Sequence, residues 1–172
     1  MMKNLKPGQK VPELILDTIK GLKWDIRESD PENFTMIVIY RGIHCPVCKK
    51  YLEELNTKVE DFKTRGVNII CISSNSQALA EKTIEEWNID KLNIGYGLSV
   101  EQGRKWGLFV SEAIKDSEPE FFLEPALFLV RPDNTLYSAS IQSMPFARPK
   151  FDELLKSISF IIKDDYPARG QA

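Results

Sequence analysis

One histidine and three cysteines are the only soft metal ligands in 172 residues. A structural zinc site needs four ligands, usually two Cys-x-x-Cys pairs or one such pair with histidines. Beyond Cys45 and Cys48 only His44 and Cys71 remain, and Cys71 sits inside a strand-like run, so zinc is disfavoured. No stretch approaches the roughly 18 apolar residues of a membrane helix. The opening "MMKNLKPGQKVPEL" lacks the apolar core of a secretory signal. A net charge of −2 provides no basic excess for nucleic acid. There is no internal repeat, no low-complexity tract and no Pro/Gly/Ser linker, so one domain over residues 1–172 is expected. The apolar share of 42% and charged share of 28% are those of an ordinary globule with length enough for its own core. A reducing, cytoplasmic setting is therefore expected. There a close cysteine pair is more often catalytic or metal-binding than a permanent staple.

What is present is a strand feeding a Cys-x-x-Cys. "NFTMIVIY" (33–40) is β-branched and nearly all apolar, as in a strand covered on both faces, and "VNIICIS" (67–73) reads the same way. Between them Val47, Tyr51, Leu52, Leu55, Val59 and Phe62 follow helical spacing. Pro46 suits the first helical position and Gly66 the stop. Strand, helix, strand predicts a βαβ unit with parallel neighbours. Two short strands flank a turn at Lys20–Gly21. A helix is predicted over 76–87, a strand near 93–96 and a helical turn near 100–106. A hairpin is predicted over 125–130 and 135–141, and a closing amphipathic helix over 149–164. The class is α/β, a mixed central β-sheet flanked by helices.

Cys45 falls at the strand end and at the helix N-cap. The free N–H groups of the first turn and the helix dipole both favour a thiolate there. Thiols so placed titrate at about 3.5–7.5. Cys45 is thus the expected nucleophile. Cys48, one turn further in, lies on the same face and within disulfide reach. It suits the resolving role, and Pro46 stiffens the turn between them. Cys71 is read as core, since cysteine is among the most buried residue types.

These residues carry a resemblance. "FTMIVIYRGIHCPVCKKYLEEL" resembles the active-site segment of thioredoxin-like proteins. It looks closest to the peroxiredoxin-like branch of the alkyl hydroperoxide reductase/thiol-specific antioxidant (redoxin) family. "GQKVPELILDTIKGLKWDI", "GVNIICISSNSQALAEKTIEEW", "EPALFLVRPDNTLY" and "MPFARPKFDELLKSISFIIKDDYPARG" are similar to further segments of such redoxins, so the likeness covers most of the chain. It implies a thioredoxin-like fold, with Cys45 as nucleophile, Cys48 as its partner and Pro125 as a cis-proline facing the disulfide. It implies reduction of a peroxide or disulfide, an antioxidant role in cell redox homeostasis, and a thiol reductant such as thioredoxin or glutathione. Neither a metal nor an organic cofactor is needed, because the sulfurs carry the electrons. Redoxins of this kind often pair as homodimers, although no exposed apolar stripe argues for one here.

The chain also departs from the pattern. Where typical peroxiredoxins carry Pro and Thr ahead of the cysteine, Val38 and Gly42 stand here, and their late Arg is replaced near Glu124–Pro125. Arg41 and Arg148 are the candidates to take over from that Arg, against the plainer reading of both as solvated surface groups. His44 has three readings: thiolate stabiliser, proton shuttle, or the bulky residue shielding the disulfide, the last being favoured. Tyr40, Met144 and Phe146 are candidate neighbours that packing explains equally well. The rival function from another class is a non-catalytic redox-sensing or binding module switched by a Cys45–Cys48 disulfide.

Overall fold

The computed structural model describes residues 4–172. Residues 1–3, the start of the stretch read as lacking a secretory signal, lie outside that range. Gly21, at φ +78°, turns β1 (Ile15–Thr18) back into β2 (Lys23–Asp25). All six residues of β3 (Phe34–Ile39) are buried, because the sheet is covered on both sides. Then follow α1 (Pro46–Asn56), α2 (Val59–Thr64), β4 (Val67–Ile72), α3 (Gln77–Glu86), β5 (Ile94–Tyr96) and α4 (Val100–Lys105). The second half holds β6 (Val110–Glu112), β7 (Phe121–Leu123), β8 (Ala126–Val130), β9 (Leu136–Ile141) and α5 (Phe151–Asp164).

Seven strands form one mixed sheet in the order β2-β1-β5-β4-β3-β8-β9. β3 and β4 are parallel, with Val38 opposite Cys71, as the βαβ pattern predicts. β8 runs antiparallel to β3 and pairs with β9 as the expected hairpin. The pleat sends alternate residues of β3 into two cores. Met36, Val38 and Tyr40 join Leu52, Leu55, Phe62, Phe151 and Ile158 on one face. Ile37 and Ile39 join Ile70, Ile72, Trp106 and Phe128 on the other.

Two expectations need correction. The helix predicted to run unbroken from Pro46 past Phe62 stops at Asn56 and restarts at Val59. The Thr57 hydroxyl donates to the Glu54 carbonyl at 2.7 Å. The buried Asn56 donates to Asp90 at 2.9 Å and accepts the Lys91 N–H at 2.8 Å. Side-chain groups of this kind compete with helical hydrogen bonds. The β6–β7 hairpin was not anticipated, because strands of three residues are too short to show a period.

Candidate active site

The loop 41–44 runs from the sheet to α1, and a buried asparagine holds it in place. Asn75, just beyond β4, accepts the Ile43 N–H at 2.9 Å through Oδ1. Gly42 has φ +137° and lies so close that a Cβ there would stand 2.6 Å from Asn75 Nδ2. Only glycine meets both demands without strain. The Cys45 N–H then donates to the Gly42 carbonyl at 3.2 Å, and α1 begins. Pro46 occupies its first turn, exposed to solvent.

Cys45 is the N-cap of α1, and its sulfur accepts the Cys48 N–H at 3.2 Å. Cys45 keeps 3% of its surface exposed and Cys48 none, so reagents meet Cys45 first. The neighbouring Cys48 thiol is the largest influence on Cys45. With the Cys48 N–H and the charges of Arg148 and Arg41, it holds the Cys45 thiol down at about 6, from its ordinary 9.0, against the opposing effect of burial. Burial, and then the neighbouring Cys45, push Cys48 well above the usual thiol range. One sulfur is thus thiolate at neutral pH and its neighbour is thiol. Cys71 is fully buried in the core, and burial pushes it up as well. Among the described residues no three His, Cys, Asp or Glu side chains converge as a metal site.

Two arginines flank the pair. Arg148 donates from Nη2 to the Cys48 sulfur at 2.8 Å, and its guanidinium lies 4.8 Å from the centre of the Tyr51 ring. The Tyr51 hydroxyl in turn donates to the Pro149 carbonyl at 2.6 Å, fixing this segment to α1. Arg41 forms a two-pronged pair with Glu124, at 2.8 and 2.7 Å, and stacks 5.1 Å from the Phe122 ring. Glu124 is buried and also accepts from the Ser111 hydroxyl at 2.6 Å. Neither arginine is a free surface group.

His44 meets the Phe122 ring edge-on at 4.8 Å. Burial, the largest influence on it, lowers its pKa, which favours a neutral ring over a charged partner for the thiolate. Both ring nitrogens are buried, and neither has a partner among the described residues. Tyr40 is wholly buried against Trp87, whereas Met144 and Phe146 are exposed. A cleft of about 330 Å³ opens between α1 and residues 145–150, beside Tyr51 and Arg148. A larger groove, about 670 Å³, lies between α5 and β9 and touches neither cysteine of the pair.

Pro125 needs correction. No cis peptide bond occurs among the described residues, so the bond before Pro125 is trans. Here Pro125 leads into β8 on the sheet's own hydrogen bonds. The Glu124 N–H donates to the Phe109 carbonyl and the Gln142 N–H to the Pro125 carbonyl, both at 2.9 Å. An extended entry of this kind is what a trans proline supplies. Sequence reasoning also missed Asn75, Glu124 and Ser111. The bare "SSNS" after β4, which carries Asn75, was the only signal for that residue.

Known proteins share this fold. A peroxiredoxin 6 of Arenicola marina superposes with a TM-score of 0.80 at 20% identity, covering 94% of this chain and 76% of that one. A peroxiredoxin-like protein from Aquifex aeolicus gives 0.73 at 16% identity, covering 92% of this chain and 89% of its own. At such identities the likeness speaks for a shared fold. The thiol-disulfide oxidoreductase ResA of Halalkalibacterium halodurans is 19% identical over 98 residues, 57% of this chain and 52% of ResA. The match thus spans about half the length of that curated relative. The sequence model of the AhpC/TSA family matches residues 7–139, most of the chain and both cysteines of the pair. With that match, on a mixed sheet flanked by helices, the chain belongs to the AhpC/TSA family of thioredoxin-like redoxins.

Proposed function

We propose that this chain is a peroxiredoxin-like thiol oxidoreductase acting as one redoxin domain in the reducing cytoplasm. One observation carries the reading: Cys45 at the N-cap of α1 with its sulfur accepting the Cys48 N–H at 3.2 Å, and a wholly buried Cys48 three residues on. The Cys45 thiolate attacks the O–O bond of a peroxide or the S–S bond of a disulfide. With a peroxide, the leaving oxygen takes a proton and Cys45 becomes a sulfenic acid. Cys48 then displaces hydroxide, which leaves as water with the Cys48 proton, and a Cys45–Cys48 disulfide closes. With a disulfide, the same attack gives a mixed disulfide and Cys48 expels the second thiolate. An external thiol such as thioredoxin or glutathione returns the pair to the dithiol. Arg41 is committed to Glu124 through Nε and Nη2, and its Nη1 bonds no protein group among the described residues. That nitrogen supplies a donor for a substrate oxygen close to the thiolate.

The test treats the reduced protein with hydrogen peroxide and, separately, with an oxidised dithiol, following Cys45 by mass spectrometry. Loss of two hydrogens, reversed by thioredoxin or glutathione, is the expected result with at least one of the two. Cys45→Ser abolishes it. Full activity in Cys45→Ser sinks the mechanism. A single oxidation that no reductant turns over points to a redox-sensing module instead.

A further inference from the structure

Arg148 reaches across the fold to the wrong sulfur for an ordinary thiolate activator. Its Nη2 donates to Cys48 at 2.8 Å, and no hydrogen bond joins it to Cys45. Among the described residues no carboxylate pairs with it, and its Nε and Nη1 are buried without partners. A buried guanidinium without a counter-charge is costly. Among the described residues its compensation is the Tyr51 ring, 4.8 Å away, the Cys48 sulfur and the charge on Cys45. The preceding residue, Ala147, holds a left-handed φ of +56°, a conformation a non-glycine residue keeps only when its surroundings impose it. Tyr51 pins the segment from the other side through the Pro149 carbonyl. The loop is held so that Arg148 points at Cys48.

We infer that Arg148 is a catalytic residue of the resolving step, in which it stabilises the thiolate of Cys48 as that sulfur attacks Cys45. The inference rests on the reading above, in which Cys45 attacks first and Cys48 resolves. At rest Arg148 donates to the Cys48 sulfur, and the Cys48 N–H donates to the Cys45 sulfur. Once Cys45 is bonded to a substrate atom, it no longer carries the charge that held the Cys48 proton. Cys48 sheds that proton to the leaving group, and Arg148 faces the thiolate that results. The S–S bond forms as the bond from Cys45 to the substrate atom breaks. In the return direction an external thiolate attacks Cys45, and Cys48 leaves as a thiolate against the same guanidinium.

A neutral dipyridyl disulfide separates the two steps, because each releases one pyridinethione that absorbs light. The first release reports attack by Cys45. The second reports displacement by Cys48, whose proton the departing group takes up as the thione. Arg148→Met keeps the stem over Tyr51 and removes the charge. A hydrogen bond to a charged group is worth about 10- to 100-fold in rate, so the second release is expected to slow by that factor. The first release slows less. Arg148→Lys, which keeps the charge, falls between. Arg148→Gln provides a second neutral variant should Arg148→Met lose its native circular dichroism. A second release as fast as the parent's in the neutral variants overturns the role given to Arg148. Absence of a fast first release in the unsubstituted protein removes Cys45 as nucleophile, and the inference with it.

Discussion

At the residue scale the chemistry follows from one hydrogen-bond pattern. The Cys48 thiol beside Cys45, and the Cys48 N–H that its sulfur accepts, favour its charged form. The rate of alkylation by iodoacetamide is therefore expected to stay high through neutral pH and to fall as pH drops through about 6. A midpoint near 8.5, that of a free thiol, counts against this account. Gly42 is the second such position. Gly42→Ala forces a Cβ toward the Asn75 amide at a φ of +137° and is expected to destabilise the fold by about 1–3 kcal/mol, read by urea unfolding. The Cys45–Cys48 pair was legible in the sequence because its geometry is local, three residues at a strand–helix junction. Arg148, Glu124 and Asn75 reach the site across 100, 83 and 32 residues respectively. No periodicity in a sequence registers contacts of that range, so Arg148 and Arg41 were legible only as candidates and the other two not at all.

At the scale of elements, βαβ order and strand pairing followed from composition, since β3 and β4 are apolar runs with a helix between them. The break between α1 and α2 did not, because Asn56 is fixed by Asp90 and Lys91 from a later loop. The β6–β7 hairpin matters more. It places Ser111 on Glu124, and Glu124 on Arg41, so a small excursion from the sheet sets the position of Arg41. Glu124 is 2% exposed and Arg41 19%. Glu124→Leu therefore strands a half-buried guanidinium and is expected to cost about 3 kcal/mol. The double variant Arg41→Met/Glu124→Leu should recover much of that loss. A double-mutant cycle by thermal unfolding measures it, and strictly additive losses would show that the pair carries no coupling.

At the scale of the whole molecule, the titration of one thiol enters the stability of the fold. The folded pKa of Cys45 lies below its unfolded value, so the folded state is stabilised when the group is ionised. That contribution is complete above about 8.5 and is lost as pH falls through about 6. The reduced protein should therefore lose stability relative to Cys45→Ser as pH is lowered across this window. Cys48 and Cys71 are shifted the other way and act only above it. Equal pH slopes for the two proteins in guanidinium unfolding would refute the linkage.

The distance along the chain between Arg148 and Cys48 has a consequence for biosynthesis. The groups that make Cys45 reactive come from Cys48, Arg41 and Arg148, and Asn75 fixes the loop that presents it. A ribosome-bound fragment ending before residue 148 carries the same Cys-Pro-Val-Cys with only part of that environment. In that fragment Cys45 lacks the Arg148 charge, so its thiol is held down less than in the closed fold. Cys45 gains its full set of neighbours only once residue 148 has emerged and closed on the pair, so the partly made chain is the less open to oxidation.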